Sequence, residues 1–266
     1  MTAEKIKGVK RIRSGNGLGD NLYLLAIVQE LIRKGKNLQV CTKYPELFNH
    51  LPVETDDFSR SNIDILAHYS KRKEENTNQW EDICIQAGLR PFPFKIDWKP
   101  GDSGPKMEVL ERAKGRKILV VQGGRIPMDR KDGFGMELLP EERLFNLVSR
   151  KLAGEYFRVQ VGGSKNLFEF EHDFSLNGGT SVPELMDVAS IADGFVSQCS
   201  FLIPLAEGLG KKGLFLWSQK GLSSDHRYIA RITPRKVLSS EKSFYVMDGW
   251  RDDEIIKVVD EFHQFR

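Results

Sequence analysis

Hydrophobic positions along this chain fall into two alternating patterns. Short, nearly continuous apolar runs at Leu38–Thr42, Ile118–Val121, Phe157–Val161, Gly194–Ser197 and Lys212–Trp217 read as strands of a parallel sheet covered on both faces. Stretches with helical spacing separate them: Asn21–Arg33, Asn76–Ala87, Pro140–Leu152, Val182–Ala192, Phe201–Leu209 and Arg251–Phe265. Val9 and Ile12 suggest an opening strand over Val9–Arg13, and a short helix is expected after Pro45. Local chemistry supports several boundaries. Lys34-Gly35 closes the first helix with a basic residue and a glycine. Gly88 stops the second helix, whose Trp80, Ile83, Cys84 and Ala87 share one face. Ser181, Pro183 and Glu184 form a helix start signal. In the last helix Ile255, Ile256, Val258, Val259 and Phe262 belong to the inward side.

Repeated β-α units give a parallel sheet with helices on both faces. Lys99–Pro105 holds two prolines and two glycines in seven residues, and it divides the pattern. The expected architecture is therefore α/β, with two Rossmann-like parallel-sheet domains facing a cleft. Residues 1–105 form the first domain and 106–250 the second, and a helix over 251–266 is placed to pack back on the first. Functional groups belong at the carboxyl ends of the strands.

Composition narrows the class. The chain has 266 residues, 40% of them hydrophobic, enough for a real core. Forty basic and 37 acidic residues leave a net charge of +3, too balanced to argue for nucleic acid from charge. Nothing reads as a signal peptide or a membrane span, so a cytoplasmic location is expected, with peripheral membrane contact left open. Cys41, Cys84 and Cys199 lie far apart and read as reduced thiols. His50, His68, His172, His226 and His263 show no metal-ligand spacing, so no metal is expected.

Candidate chemistry concentrates at Ser14-Gly15-Asn16-Gly17-Leu18-Gly19-Asp20, between the first strand and first helix. Three glycines in five positions bring backbone close to a ligand. A dinucleotide fingerprint needs a third glycine where Asp20 stands, and Lys43 follows Val40-Cys41-Thr42 where that motif wants an acid. No Gly-Lys-Ser/Thr follows either. The turn therefore presents an acid rather than wrapping a phosphate. As a helix cap, Asp20 would accept from N–H groups near Tyr23; a cap carboxylate can also serve as a base.

Taken together, these residues resemble the bacterial heptosyltransferase family of GT-B glycosyltransferases. Gly19-Asp20 opening a long helix matches that family, as do Thr42 to Pro45 after the second strand, Gln122-Gly123-Gly124 and Val161-Gly162-Gly163. Arg130-Lys131 and Leu139-Pro140 are looser counterparts. Ala192-Asp193, Val196-Ser197, Leu205-Ala206, Leu209-Gly210 and Lys211 fall at family spacing. Departures fall in Gln198–Pro204, where Cys199, Phe201 and Pro204 replace the family's Asp, Gly and His. Neither donor nor acceptor identity carries over.

The resemblance implies metal-independent transfer of a sugar, hexosyl or heptosyl in type, with inversion, from a nucleotide-diphosphate co-substrate to a hydroxyl. No cofactor is implied, and the acceptor is a glycan or another hydroxyl, a nucleic acid included. Asp20 would be the general base, with Asn16, Gly17 and Gly19 forming the acceptor loop. Gly123, Gly124, Arg125, Arg130, Lys131, Gly162, Gly163, Ser197, Gln198, Cys199, Ser200 and Glu207 would bind the donor. Arg125, Arg130 and Lys131 would balance the leaving charge, aided by the start of the Phe201–Leu209 helix. Glu207 would hold ribose hydroxyls or lie on a helix surface, and Cys199 reads as a small packed residue. Trp217 reads as core, and His226 with Arg227 could reach the pyrophosphate. Two alternatives stand beside this reading. One is a nucleotide-sugar-binding protein of the same fold without transfer activity, which the altered Gln198–Pro204 segment favours. The other is a nicotinamide oxidoreductase, which Asp20 disfavours.

Overall fold

The structure, a computed structural model, describes residues 8–60, 62–69, 77–124, 139–163, 166–222 and 233–265. It divides into two compact units, Met1–Asp97 and Trp98–Arg266. Two parallel-strand sheets with interleaved helices confirm the α/β class.

In the first unit, β1 (Lys10–Arg13), β2 (Leu38–Thr42), β3 (Glu54–Asp57) and β4 (Ile65–Leu66) form a parallel sheet in the order β3-β2-β1-β4. Helix α1 (Leu18–Arg33) is buried without a break from Asn21 to Gln29. A helix apolar nearly all round needs cover on every side. Part of that cover is aromatic. Tyr23 of α1 lies 5.9 Å from Trp80 of α2 (Gln79–Gln86) and 4.9 Å from Phe94, ring centre to ring centre. Trp80 meets Phe92 edge-on at 5.0 Å, and Ile83, Cys84 and Ala87 are buried with it as the spacing predicts. Helix α2 begins at Gln79 because Asn78 and Glu81 exchange side-chain to backbone hydrogen bonds across its first turn, at 2.9 and 3.0 Å.

The second unit carries β5 (Ile118–Val121), β6 (Phe157–Gln160), β7 (Phe174–Ser175), β8 (Gly194–Gln198), β9 (Lys212–Trp217) and β10 (Ser243–Met247). Their order is β10-β9-β8-β5-β6-β7, all parallel. Helices α3 (Gly104–Ala113), α4 (Glu142–Leu152), α5 (Val182–Ile191), α6 (Leu202–Gly208), α7 (Gln219–Leu222), α8 (Pro234–Val237) and α9 (Asp252–Gln264) connect and cover them. One core cluster joins Leu119, Val121, Phe145, Val196, Leu214 and Phe262.

Two boundaries differ from expectation. Lys99–Pro105 is no free linker: Asp187, buried in α5, accepts hydrogen bonds from Trp98 Nε1 at 3.1 Å and the Gly101 amide at 2.9 Å. Just upstream, the Gln29 carboxamide both donates to and accepts from the Asp97 backbone, at 2.8 and 3.0 Å. The units therefore divide between Asp97 and Trp98, and α3 follows at once with Pro105 in its first turn. The final helix belongs to the second unit. Its Ile255, Val259 and Phe262 enter the core of the second, where α9 packs on α4, β9 and β10.

Lys212 fixes that helix. Its buried ammonium donates to the carbonyls of Phe262, His263 and Phe265 at 2.9, 3.3 and 2.8 Å. A cation at a helix C-terminus satisfies orphan carbonyls and complements the dipole. Burial, with the Lys117 charge adding to it, holds the lysine below its ordinary pKa. Lys212→Met keeps most of the stem but leaves the carbonyls without that donor. The expected cost is about 1–3 kcal/mol, read as a lower urea midpoint; an unchanged midpoint would count against the cap.

Candidate active site

The glycine turn is built from the backbone outward. Helix α1 starts at Leu18, three residues before the expected Asn21, with Gly17 as its cap residue. Asp20 is thus not the cap but the third helical residue. Its Oδ2 reaches back to accept from the Gly17 amide at 3.1 Å. This is the carboxylate half of a capping box, and it orients the side chain at the helix mouth. Asn16 and Gly17 are exposed in the turn, and Gly19 lies inside the first helical turn.

Asn21 locks the turn from beneath. Fully buried, it donates through Nδ2 to the carbonyls of Gly15 at 3.1 Å and Gly17 at 2.8 Å. Its Oδ1 accepts from the Thr42 hydroxyl at 2.7 Å, and that hydroxyl accepts from the Tyr44 amide at 2.9 Å. The turn is therefore tied to the carboxyl end of β2.

A residue with no sequence signal completes the site. Ala67 donates its amide to the Arg13 carbonyl at 2.8 Å, which places the next residue, His68, beside the end of β1. His68 Nε2 lies 3.6 Å from Asp20 Oδ1, and the two side chains are 24% and 22% exposed. Gly15 is why they can meet. A Cβ at that position would stand 2.6 Å from Asp20 Cγ and 2.7 Å from His68 Nε2. Tyr44 is close enough to feel the carboxylate: burial, then Glu46 and Asp20, raise its phenol pKa. An open groove of about 640 Å³ runs along the carboxyl ends of β2 and β3, lined by Thr42, Lys43, Thr55, Asp57, Phe58 and Ser59 among others. A half-buried carboxylate beside an imidazole, at the carboxyl edge of a parallel sheet, is equipped to move a proton.

In the second unit the predicted residues separate into two groups. Gly123 and Gly124 lie at the end of β5, against the backbone and ring of Phe168. A Cβ on Gly123 would stand 2.6 Å from the Phe168 oxygen, so close backbone approach accounts for that glycine. Gly162 follows β6 with φ +129°, a conformation that disfavours any side chain, and Gly163 is half-buried next to it. Around these glycines, Gln122 Oε1, Gln160 Oε1 and Asn177 Oδ1 are buried acceptors without hydrogen-bond partners among the described residues. Arg125, Arg130, Lys131, His226 and Arg227 lie outside the described residues.

The Ser197–Glu207 group is committed internally. Ser197 is fully buried and donates to the Gln198 carbonyl at 2.7 Å. Ser200 donates to Ser197 Oγ at 3.3 Å and accepts from the Leu202 amide at 3.1 Å, occupying the start of α6. Desolvation pushes the Cys199 thiol up to about 12, which excludes a thiolate near neutral pH. Gln198 is buried in β8 and Trp217 in β9. Glu207 accepts four hydrogen bonds, from Ser239 N and Oγ, Ser240 N and Ser243 Oγ, at 2.6–3.2 Å. Oε1 takes three of these bonds and Oε2 one, so the carboxylate is committed largely within the protein, and its burial removes the surface position expected as the alternative. The hydroxyl protons of Ser197 and Ser200 are likewise committed within the protein. Among the described residues, no group of three or more His, Cys, Asp or Glu could hold a metal ion.

No protein-family model and no curated protein matches the sequence. Solved structures do match the fold. The chain is similar to a family 9 glycosyl transferase from Veillonella parvula, at 10% identity and TM-score 0.61, over 96% of this chain and 97% of that one. It is similar to the ADP-heptose lipopolysaccharide heptosyltransferase II of E. coli, at 12% identity and TM-score 0.59, over 96% and 98%. It is also similar to the iron-containing dodecameric glycosyltransferase TibC of enterotoxigenic E. coli, at 10% identity and TM-score 0.59, covering 92% of this chain and 66% of that one. The fold is the two-unit α/β arrangement of GT-B glycosyltransferases, and heptosyltransferase structures are among its neighbours.

Gly15→Ala is expected to push the Asp20 carboxylate away from His68 while the unit stays folded, because the obstructed atoms are side-chain ends. A thermal midpoint within a few degrees of the parent, together with lost proximity of the two side chains in a crystal structure of the variant, is the expected pair of results. An undisturbed Asp20 would contradict the packing argument.

Proposed function

We propose that this protein is an inverting glycosyltransferase that moves a sugar from a nucleotide-diphosphate donor to an acceptor hydroxyl, with Asp20 as the general base. The observation that carries the reading is the placement of Asp20: half-buried, oriented by the Gly17 amide, and standing at the carboxyl edge of the first sheet. An alcohol is a poor nucleophile near neutral pH, and a positioned base contributes roughly 10²–10⁴-fold. The groove beside β2 and β3 offers hydroxyls, charges and one aromatic ring to a glycan acceptor. In the second unit, the loops after β5 and β6 are the donor side of this reading. Gln122 after β5, Gln160 at the end of β6 and Asn177 after β7 have acceptors with no partner among the described residues, and these suit the hydroxyls of a ribose or sugar. The neighbours include a TibC complex with ADP-D-β-D-heptose, which makes ADP-sugars the first donors to try. The reading needs no metal, and its thiols, none of them in a disulfide, suit a reducing compartment.

Binding without transfer is the second reading, favoured by the internal commitment of Ser197, Ser200 and Glu207. A thermal-shift panel of ADP, GDP, UDP and their sugars comes first: a true ligand at about 100 times its dissociation constant stabilises the fold by about 2.7 kcal/mol. With the donor so chosen, Asp20→Asn should lower turnover by about 10² or more while the donor-induced shift persists. Full turnover in that variant would remove Asp20 as the base. A donor shift with no turnover in the parent protein, across glycan and nucleic-acid acceptors, would favour the second reading.

A further inference from the structure

His68 makes Asp20 one half of a pair. Its Nδ1 lies 3.1 Å from the Tyr69 carbonyl oxygen, which can only accept. In a neutral ring Nδ1 therefore carries the proton, and Nε2 presents its lone pair toward Asp20 Oδ1, 3.6 Å away. Two acceptors facing each other repel unless a proton lies between them. The fold nonetheless brings them together and keeps position 15 free of a Cβ to do so. The remaining carboxylate oxygen is held by the Gly17 amide, so one edge of the carboxylate serves the helix and the other faces the ring. From the loop after β2, Tyr44 is a further titratable group that feels this charge, and its raised pKa keeps it neutral near pH 7.

We propose that His68 is a positioning residue acting through Asp20: its Nε2 takes up the proton that Asp20 draws from the acceptor hydroxyl. The inference rests on the reading of Asp20 as base. In the step, the acceptor O–H bond breaks and its electron pair forms the bond to the anomeric carbon. The bond from that carbon to the phosphate oxygen breaks, and its pair leaves with the nucleoside diphosphate. The proton passes through Asp20 to His68 Nε2, leaving an imidazolium beside a carboxylate. The chemistry favours this resting place, because a free imidazole titrates near pH ~6.5 and a free carboxylate near ~3.9, so the imidazole keeps the proton better.

Two measurements test the pair and the base separately. The first needs no substrate. The His68 ring signal, identified by its loss in His68→Gln, is followed by NMR across pH in the parent and in Asp20→Asn. Removing the carboxylate beside Nε2 should change how the His68 ring signal responds to pH. Superimposable curves overturn the pairing whether or not the chain transfers sugar. The second follows nucleoside diphosphate release from ADP-heptose. His68→Gln should lower kcat about tenfold or more with KM for ADP-heptose unchanged, and should move the acid limb of the rate profile to lower pH. A general loss of packing would lower the urea midpoint without moving that limb. Unchanged kcat and an unmoved limb in a folded His68→Gln overturn the proton-uptake role. Full activity in Asp20→Asn overturns the reading of Asp20 as base, and the NMR comparison still decides the pairing.

Discussion

The buried carboxamide of Asn21 is the point on which the first unit's functional edge depends. It holds two carbonyls of the glycine turn, and through Thr42 it holds the exit of β2. Asn21 and Thr42 are themselves out of water, so losing their bonds would leave buried polar atoms without a partner, at a cost of about 1–3 kcal/mol each. The same residue belongs to α1, whose apolar body is packed between the sheet and an aromatic cover. Helix, turn and strand end therefore move as one piece. The Asp20 side chain, one residue before Asn21, is oriented by the Gly17 amide, and that amide is kept in place by this rigidity.

The second unit shows the opposite use of polar groups at two ends of one sheet. Around α6 the hydroxyls and the Glu207 carboxylate are matched donor to acceptor within the protein. Those bonds fasten the 239–243 segment and the first turn of α6. At the carboxyl ends of β5, β6 and β7, the buried amide oxygens of Gln122, Gln160 and Asn177 have no donor among the described residues. Folded proteins leave few such atoms unmatched, because each forfeits hydrogen bonds it had in water. The Ser197–Glu207 segment thus spends its polar groups on the fold, while the acceptors near the glycine loops are unmatched among the described residues.

Much of this was legible in the sequence. Continuous apolar runs identified β2, β5, β6, β8 and β9, because strands covered on both faces carry little else. Other elements left no such trace. Strand β3 reads Glu-Thr-Asp-Asp and sits at a sheet edge, where polar residues are tolerated and apolar periodicity vanishes. Helix α3 keeps Met107 and Leu110 exposed and buries only Val109 and Ala113, so its pattern was faint. The turn announced Asp20 through its glycines. His68 was silent: it follows a two-residue strand, and only the pairing of β4 with β1 brings it near. Glu207 misled because an acid flanked by apolar residues looks the same whether its partners come from a ligand or from a loop about 30 residues on.

The bare α-carbon at Gly15 has a historical consequence. Three positions, 15, 20 and 68, share one small volume, and the first can gain a side chain only after the second has shrunk or swung away. In a lineage that keeps the acid, position 15 is frozen. In a lineage that loses it, the constraint lifts and substitutions there become free. Ancestral reconstructions of this fold would thus record the order of loss, with a vanished carboxylate preceding any branch that fills the gap.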